Sequence, residues 1–200
     1  MMAQHLGIPS VFYPPNGIQY LRDFDHRVGT VHFLIQLWRY AKSQDSPPDF
    51  LHAYFHNGCA EKSRFIAATR HDIGNGIFTE ADLEFRIGPH LYLFEYHRQH
   101  RVDRIAKQLE FHRIALQHGT VAKHYNHPHS PTILGVYENA STLESVMRRL
   151  RVDAPFKPFF PAFAFALLDD VLADFTGAWK RLDDSPTPFP VLQNGALHPP

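Results

Sequence analysis

The sequence predicts a single α/β domain built around a mixed β-sheet. The length of 200 residues fits one domain of ordinary size. Hydrophobic residues make up 44% of the chain and charged residues 20%, which is typical of a folded globular protein and excludes a disordered one. Segments with apolar residues at helical spacing alternate with short strand-like runs, in the order αβββαβα.

The first predicted helix covers His26–Ser43, where apolar residues fall mostly three and four positions apart. Asp25 is placed to cap its N-terminus. Several prolines interrupt residues 1–25, which we interpret as a lead-in to a domain over residues 26–182. Residues 183–200 are rich in proline and are predicted to form a C-terminal coil.

Three strands are expected next. Leu51–His56 is the first, and a short polar segment over Glu61–Ala68, which could form a turn of helix, separates it from the other two. Ala81–Ile87 and Leu91–His97 are joined through Gly88-Pro89, which predicts a β-hairpin. With a two-residue loop, the numbers of facing residues sum to 177.

The second half of the chain continues the alternation. Gly119 is a stop signal for one helix, and Ser141 with Glu144 forms a capping box that opens another. The predicted elements are a helix over His100–His118, a buried strand over Thr132–Tyr137, a helix from Ser141 to Arg151 and a short helix over Asp169–Phe175.

The hairpin register places Asp82 directly opposite Glu95. Facing side chains share one face of a sheet with Cβ atoms roughly 4.5 to 5.5 Å apart, which suits two carboxylates that hold one divalent cation. Without a cation or a positive neighbour the pair would repel. The alternative is a rim position at which both acids form surface salt bridges with Arg86 or Arg98.

The order αβββαβ, with Asp82 at the start of one strand and Glu95-Tyr96-His97 on its partner, resembles the PD-(D/E)xK nuclease superfamily. The resemblance implies a restriction-endonuclease-like mixed sheet flanked by helices. It also implies that Asp82 and Glu95 bind magnesium or manganese, which would stabilise the transition state and activate water. Glu80 or Glu84 would be a reserve acid.

Two positions depart from that motif. Ala81 replaces the proline before the first acid, and His97 occupies the position of the lysine that positions or activates water in the superfamily. Some members supply this lysine from the following helix, and Lys107 is the matching residue. The predicted catalytic set is therefore Asp82, Glu95, His97 and Lys107.

A narrower resemblance is to the replication-relaxation family of plasmid and mobile-element proteins. Residues 11–21, VFYPPNGIQYL, resemble the last strand of a winged-helix wing, and ADLEFRIGPHLYLFEYHR resembles the acidic hairpin. Lys107, Leu109 and Phe111 resemble the helix that follows, so the similarity covers Val11–Trp179. It implies a nuclease-like DNA-processing protein. The alternative is an inactive nuclease fold that binds DNA or a protein partner.

Local charge agrees with a DNA partner. The whole chain carries 20 basic and 20 acidic residues, but residues 86–123 hold seven basic against three acidic residues, a net charge of +4. Arg101, Arg104 and Lys107 fall on neighbouring turns of the helix that follows the acidic hairpin, where they could contact phosphates. The predicted nucleic-acid-binding residues are Arg98, Arg101 and Arg104. A solvated helix face is the alternative.

Three other groups of residues suggest a catalytic or metal site but have a more ordinary explanation. Cys59 beside His56 or His71 would suit a cysteine hydrolase, although a bystander thiol is more common. His71-Asp72 matches the dipeptide of all-helical metal-dependent phosphohydrolases, which the neighbouring strands disfavour. The remaining histidine group, His124, His127 and His129, has proline beside it, so we disfavour a zinc site there.

The last features concern assembly and location. The aromatic residues Phe156, Phe159, Phe160, Phe163 and Phe165 would fill the core or form a homo-oligomer interface. One cysteine excludes an internal disulfide, and no apolar run of about 18 residues is present. We therefore expect a cytoplasmic protein without membrane contact.

Overall fold

The computed structural model describes residues 20–59, 65–98 and 100–190. The described residues form five α-helices, which are α1 (Tyr20–Ser43), α2 (Val102–His118), α3 (Thr120–His124), α4 (Ala140–Val152) and α5 (Leu168–Ala173). Eight strands are β1 (Phe50–Ala53), β2 (Arg70–Gly74), β3 (Ile77–Glu80), β4 (Leu83–Ile87), β5 (His90–His97), β6 (Thr132–Tyr137), β7 (Phe163–Leu167) and β8 (Lys180–Arg181). A 3-10 helix covers Ala154–Ala162.

Six of the strands form one mixed sheet in the order β1-β4-β5-β6-β7-β8. The central pairs β5–β6 and β6–β7 are parallel, and the outer pairs are antiparallel. The predicted hairpin register is confirmed, with Leu83 opposite Phe94 and Ile87 opposite His90. The coarse prediction of an α/β domain with a mixed sheet between helices is therefore confirmed.

Each face of the sheet carries its own hydrophobic core. On one face, α2 and α4 cover β5, β6 and β7, with Leu109 and Val146 fully buried. On the other face, Phe33 and Leu37 of α1 pack with Trp179 and with Phe189, close to the end of the described chain. Because a strand alternates its side chains between faces, β5 serves both cores.

Strand β7 shows how the aromatic segment is used. Phe163 and Phe165 point into the α2/α4 core, and the alternating residues Ala164 and Ala166 face the other core. Gly135 of β6 makes room for Phe165, since a Cβ atom at that position would lie 2.6 Å from the phenyl ring. Phe156 is also buried, and Phe159 and Phe160 are half-buried against the same core. The core interpretation is therefore confirmed for Phe156, Phe163 and Phe165, and the homo-oligomer stays a prediction.

A second, two-stranded sheet of β2 and β3 was not predicted. Its turn is Asn75-Gly76, in which both residues adopt positive φ, 55° and 70°. Asn-Gly is the strongest short sequence signal for a type I′ hairpin turn, because both of its central residues need positive φ. The signal was present in the sequence.

Two helix starts differ from the prediction. Helix α1 begins at Tyr20, so Asp25 lies inside the helix and is not its cap. Helix α4 begins at Ala140, because the extended Asn139 accepts a hydrogen bond from the Ser141 N–H and caps the helix two positions before the predicted cap Ser141. The Asx geometry at Asn139 therefore displaces Ser141 from the cap position.

Other boundaries are close to the predictions. No helix forms over residues 65–68, and residues 60–64 of the predicted turn lie outside the described residues. The winged-helix-like segment lies mostly outside them too, since the description begins at residue 20. Within the described ranges, the helices are too short or too polar to cross a bilayer.

Candidate functional site

Asp82 and Glu95 lie at the same end of the sheet, where Asp82 is held from α1 and Glu95 from α2. Asp82 directly precedes β4, and its N–H donates to the Phe94 carbonyl at 2.9 Å, which extends the hairpin ladder by one position. Both acids are buried. Burial, followed by the charge of Asp82, raises the pKa of Glu95 well above its usual value. The rim interpretation, with surface salt bridges to Arg86 or Arg98, is therefore wrong.

Both oxygens of Asp82 are engaged. Oδ1 lies 2.8 Å from Nε2 of His26, and Oδ2 accepts a hydrogen bond from the Tyr96 N–H at 2.7 Å. His26 belongs to α1, so the first contact joins this helix to the residue before β4. Asp82 thus ties α1 to the central hairpin.

Glu95 is held from α2. Oε2 accepts a hydrogen bond from Nε2 of Gln108 at 2.6 Å, and Oε1 lies 2.5 Å from Nε2 of His112. The other ring nitrogen of His112 lies 2.8 Å from the Thr79 hydroxyl of β3. Burial lowers the pKa of His112 to about 4. This buried chain of hydrogen bonds joins β5, α2 and the small hairpin.

A second buried chain is centred on Glu84, one of the two reserve acids. Its Oε1 lies 2.8 Å from Nε2 of His71, and Oε2 accepts a hydrogen bond from the Tyr125 hydroxyl at 2.6 Å. Glu80, the other reserve acid, lies at the end of β3, and its pKa is raised, chiefly by burial. We define Asp82, Glu84, Glu95 and their hydrogen-bonding partners as the buried carboxylate cluster.

His97 is buried on the same sheet face as Glu95, and its ring lies 4.8 Å from that of Tyr137. Burial, and then the charges of His26 and His112, lower its pKa to about 3. Within the described part of the chain, its Nε2 has no hydrogen-bond partner. His97 is therefore neutral near pH 7 and does not supply the positive charge of the lysine it replaces.

Lys107 lies on α2 but away from the acids. It is exposed, and its Nζ lies 5.8 Å from the centre of the Phe111 ring. The side chains that α2 turns toward Glu95 are Gln108 and His112, one helical turn apart. The sequence signal for them was the position of His112 on the apolar stripe of α2, where a polar residue needs a buried partner.

The carboxylates are a poor fit to a metal ion as they stand. Each of the four oxygens of Asp82 and Glu95 already has a hydrogen-bond partner, and the raised pKa of Glu95 favours its protonated form, which is a weak ligand. In residues 20–59, 65–98 and 100–190, no group of three or more His, Cys, Asp or Glu side chains is arranged to hold a metal.

A second feature lies at the same end of the sheet. An open pocket of about 700 Å³ is lined by Arg98, His100, Arg101, Arg104 and Glu138. Because β5 and β6 are parallel, Arg98 and Glu138 follow the same edge, and the Glu138 N–H donates to the His97 carbonyl at 3.1 Å. The structure thus brings all three predicted nucleic-acid-binding residues into one cavity, which we call the arginine pocket.

The charge of the arginine pocket is only partly balanced. Arg98 pairs with Glu138 at 3.6 Å, and Asp103, the only acid in the first turn of α2, pairs with Arg149 outside the pocket. Arg101 occupies the N-cap of α2 without a side-chain hydrogen bond, where the helix dipole already places positive potential. Arginines at this helix end repel one another unless an anion binds.

The competing site predictions separate in space. His71 is buried against Glu84, whereas Asp72 is exposed and accepts a hydrogen bond from the Gly74 N–H, so the His-Asp dipeptide points to opposite faces. His124 packs beside His71 with ring centres 4.7 Å apart, while His127 bonds the backbone of His129. The three histidines of the disfavoured zinc site therefore do not converge.

Cys59 lies in a turn, and both of its suggested bases have hydrogen-bond partners of their own. It is partly buried and its N–H donates to Oδ1 of Asn57 at 3.0 Å, which forms a tight Asx turn. His71, one of its two suggested bases, is held by Glu84. His56 has an Nδ1 that accepts a hydrogen bond from the Ala53 N–H at 3.2 Å.

Comparison of the chain with protein-family models, with curated proteins and with solved structures finds no match. The resemblances to PD-(D/E)xK nucleases and to replication-relaxation proteins therefore stay predictions.

Proposed function

We propose that this protein binds the phosphate backbone of DNA through the arginine pocket. The observation that carries the proposal is the convergence of Arg98, Arg101 and Arg104 at the N-terminus of α2. A guanidinium forms paired hydrogen bonds to phosphate oxygens, and helix N-termini bind anions through free N–H groups. Three arginines against Glu138 leave a surplus of positive charge that a phosphate group balances.

The charge arrangement favours backbone contact over base recognition. Contacts to phosphates give affinity and a strong dependence on salt, without sequence preference. Sequence-specific binding would need further side chains that reach base edges in a groove. We therefore expect binding to duplexes of different sequence with similar affinity.

The test compares two double variants by fluorescence anisotropy with a labelled 20-base-pair duplex, between 50 and 200 mM salt. Arg101→Gln with Arg104→Gln should weaken binding about tenfold or more and lower the slope of log K against log salt by roughly 1.8, which corresponds to two lost phosphate contacts. Arg148→Gln with Lys157→Gln removes the same charge from exposed positions outside the pocket. Equal losses in both variants would refute a localised site.

Metal-dependent cleavage of DNA by Asp82 and Glu95 is the second candidate function. It is favoured by the proximity of the two acids, since the charge of Asp82 contributes to the raised pKa of Glu95. Magnesium or manganese would have to displace His26 from Asp82 and His112 or Gln108 from Glu95. No hydrolytic step follows from the contacts as they stand.

Supercoiled DNA with magnesium or manganese tests this second candidate. Nicking by the wild type that the double variant Asp82→Ala, Glu95→Ala loses, while it still binds the duplex, would establish cleavage. We expect DNA binding without nicking, which is the inactive alternative of the nuclease-like interpretation. Circular dichroism of the double variant must show that it is folded, because both acids hold structural contacts.

A further inference from the structure

Helix α1 carries large apolar side chains that are exposed among the residues that the structure describes. Val31 and Ile35 are each 44% exposed and Trp38 is 50% exposed. These residues lie at positions i, i+4 and i+7, which form one stripe along a helix. Phe33 and Leu37, on the opposite side of α1, are completely buried against the sheet. We call Val31, Ile35 and Trp38 the α1 stripe.

The stripe has a basic border. From His26 to Ser43 the helix carries Arg27, Arg39 and Lys42 and not one acidic residue. Arg39 and Lys42 are exposed. At 100° per residue, Lys42 projects within roughly 20° of Ile35 and Arg39 within roughly 40° of it, on the other side. The apolar stripe and the positive charges therefore form one surface.

We propose that the α1 stripe docks an acidic amphipathic helix of a partner protein. Spacing at i, i+4 and i+7 is the anchor pattern by which helices pack in such complexes. The complement of this surface is an apolar helix face bordered by Asp or Glu. Trp38 supplies the large, half-exposed aromatic side chain that commonly dominates the energy of such interfaces.

A second copy of this chain fits the surface less well. Antiparallel packing of two α1 helices about Ile35 would bring His32 opposite Arg39 of the other copy on the same flank, so basic residues would face each other. The three half-exposed side chains also offer far less than the roughly 800 Å² per partner that a stable dimer buries.

An anionic membrane is also a weaker match. Basic segments that bind acidic lipids typically cluster four to eight Lys or Arg residues, each worth about 1 kcal/mol near the surface. The exposed face of α1 presents two, Arg39 and Lys42. Two basic residues can favour a partner helix with acidic residues at its border, but they are too few to hold the domain on a bilayer.

Two synthetic 18-residue amphipathic peptides provide the test. Both carry leucine along one face, and the flanking positions are Glu in one peptide and Lys in the other. Trp179 is buried and Trp38 is half exposed, so quenching of tryptophan emission by acrylamide reports on Trp38. The Glu peptide should protect Trp38 and bind at least tenfold more tightly than the Lys peptide.

Variants separate the two parts of the surface. Arg39→Glu with Lys42→Glu should invert the preference toward the Lys peptide, and Ile35→Ser should abolish binding of both. Val152→Ser is the matched control, because Val152 is 79% exposed on another helix, and it should bind like the wild type. Equal affinity for both peptides, or a preference that does not invert, overturns the proposal.

Two further outcomes would also overturn it. One is binding to phosphatidylglycerol vesicles without binding to the Glu peptide. The other is a dimer in analytical ultracentrifugation that Ile35→Ser dissociates. Both measurements are independent of the arginine pocket, so Arg101→Gln with Arg104→Gln should leave peptide binding unchanged.

Discussion

The buried carboxylate cluster and the arginine pocket lie at the same end of one sheet, yet they differ in almost every physical respect. In the cluster, each oxygen of Asp82, Glu84 and Glu95 has a partner inside the protein. In the pocket, Arg101 and Arg104 are exposed at a helix end that adds to their own charge. The cluster stabilises the fold, and the pocket needs a ligand to balance it.

The difference shows why residue type alone does not identify a site. An acid pair on facing strands has the spacing of a metal site, but a histidine and a glutamine from α2 satisfy it completely. Buried polar groups with all partners present contribute to stability and to a unique packing. Charges that the fold leaves unbalanced at the surface are the better indication of binding.

The largest expected effect comes from breaking the cluster. His112→Ala removes a buried ring and leaves Glu95 and Thr79 without their partner, so the free energy of unfolding should fall by about 3 to 5 kcal/mol. Urea denaturation followed by circular dichroism measures this loss. A fall below about 1 kcal/mol would mean that the chain from Glu95 to Thr79 contributes little to the fold.

Acid should also destabilise the fold through the buried His97. Its pKa is about 3 in the folded protein and 6.5 as a free side chain, so the unfolded chain binds the proton first. The contribution of His97 is complete above pH 6.5 and is lost as the pH falls toward 3, by about 1.4 kcal/mol per pH unit.

His97→Phe keeps a ring of similar shape and removes the titrating group. Between pH 6 and 4, the free energy of unfolding of this variant should therefore fall less steeply than that of the wild type, by about 1.4 kcal/mol per pH unit. Glu95 acts in the opposite sense, since its raised pKa removes stability as the pH rises, but it is common to both proteins. Identical slopes would show that His97 is accessible to protons in the folded state.

Changes in the arginine pocket should leave the fold intact. Arg101→Gln with Arg104→Gln should alter the free energy of unfolding by no more than about 0.5 kcal/mol, because both side chains are exposed. A slight gain is expected at low salt, since the variant relieves repulsion at the start of α2. A loss of more than 1 kcal/mol would show that these arginines stabilise the fold, as the residues of the buried carboxylate cluster do.

The smallest effect is expected at Glu138. This half-exposed carboxylate pairs with Arg98 at 3.6 Å and competes with an incoming phosphate. Glu138→Gln should strengthen duplex binding severalfold and leave stability unchanged, as surface salt bridges contribute little. Anisotropy titration at 100 mM salt measures this, and weaker binding would show that Glu138 orients Arg98 for the ligand.

Sequence reasoning succeeded where one local pattern decided the structure. The Gly88-Pro89 loop determined the register of β4 and β5, and with it the placement of Asp82 and Glu95 at the same end of the sheet. It failed at β7, because Phe163-Ala-Phe-Ala-Leu is buried on both faces and has no polar alternation. The partners His26, Gln108 and His112 come from helices whose rotation depends on long-range packing, so Lys107 was chosen one position away from the residue that reaches Glu95.

The two hydrophobic cores also differ in when they can form during synthesis. The core under α2 and α4 draws on residues from Ile73 to Leu182, and most of them lie between 91 and 165. Most of this core can therefore assemble while the end of the chain is still being made. The other core joins Phe33 near the start of the domain to Trp179 and Phe189 near its end. Because the ribosome releases the chain from the N-terminus, α1 can pack on Phe85 and Phe94 first, but its buried face is completely covered only when nearly the whole domain has emerged.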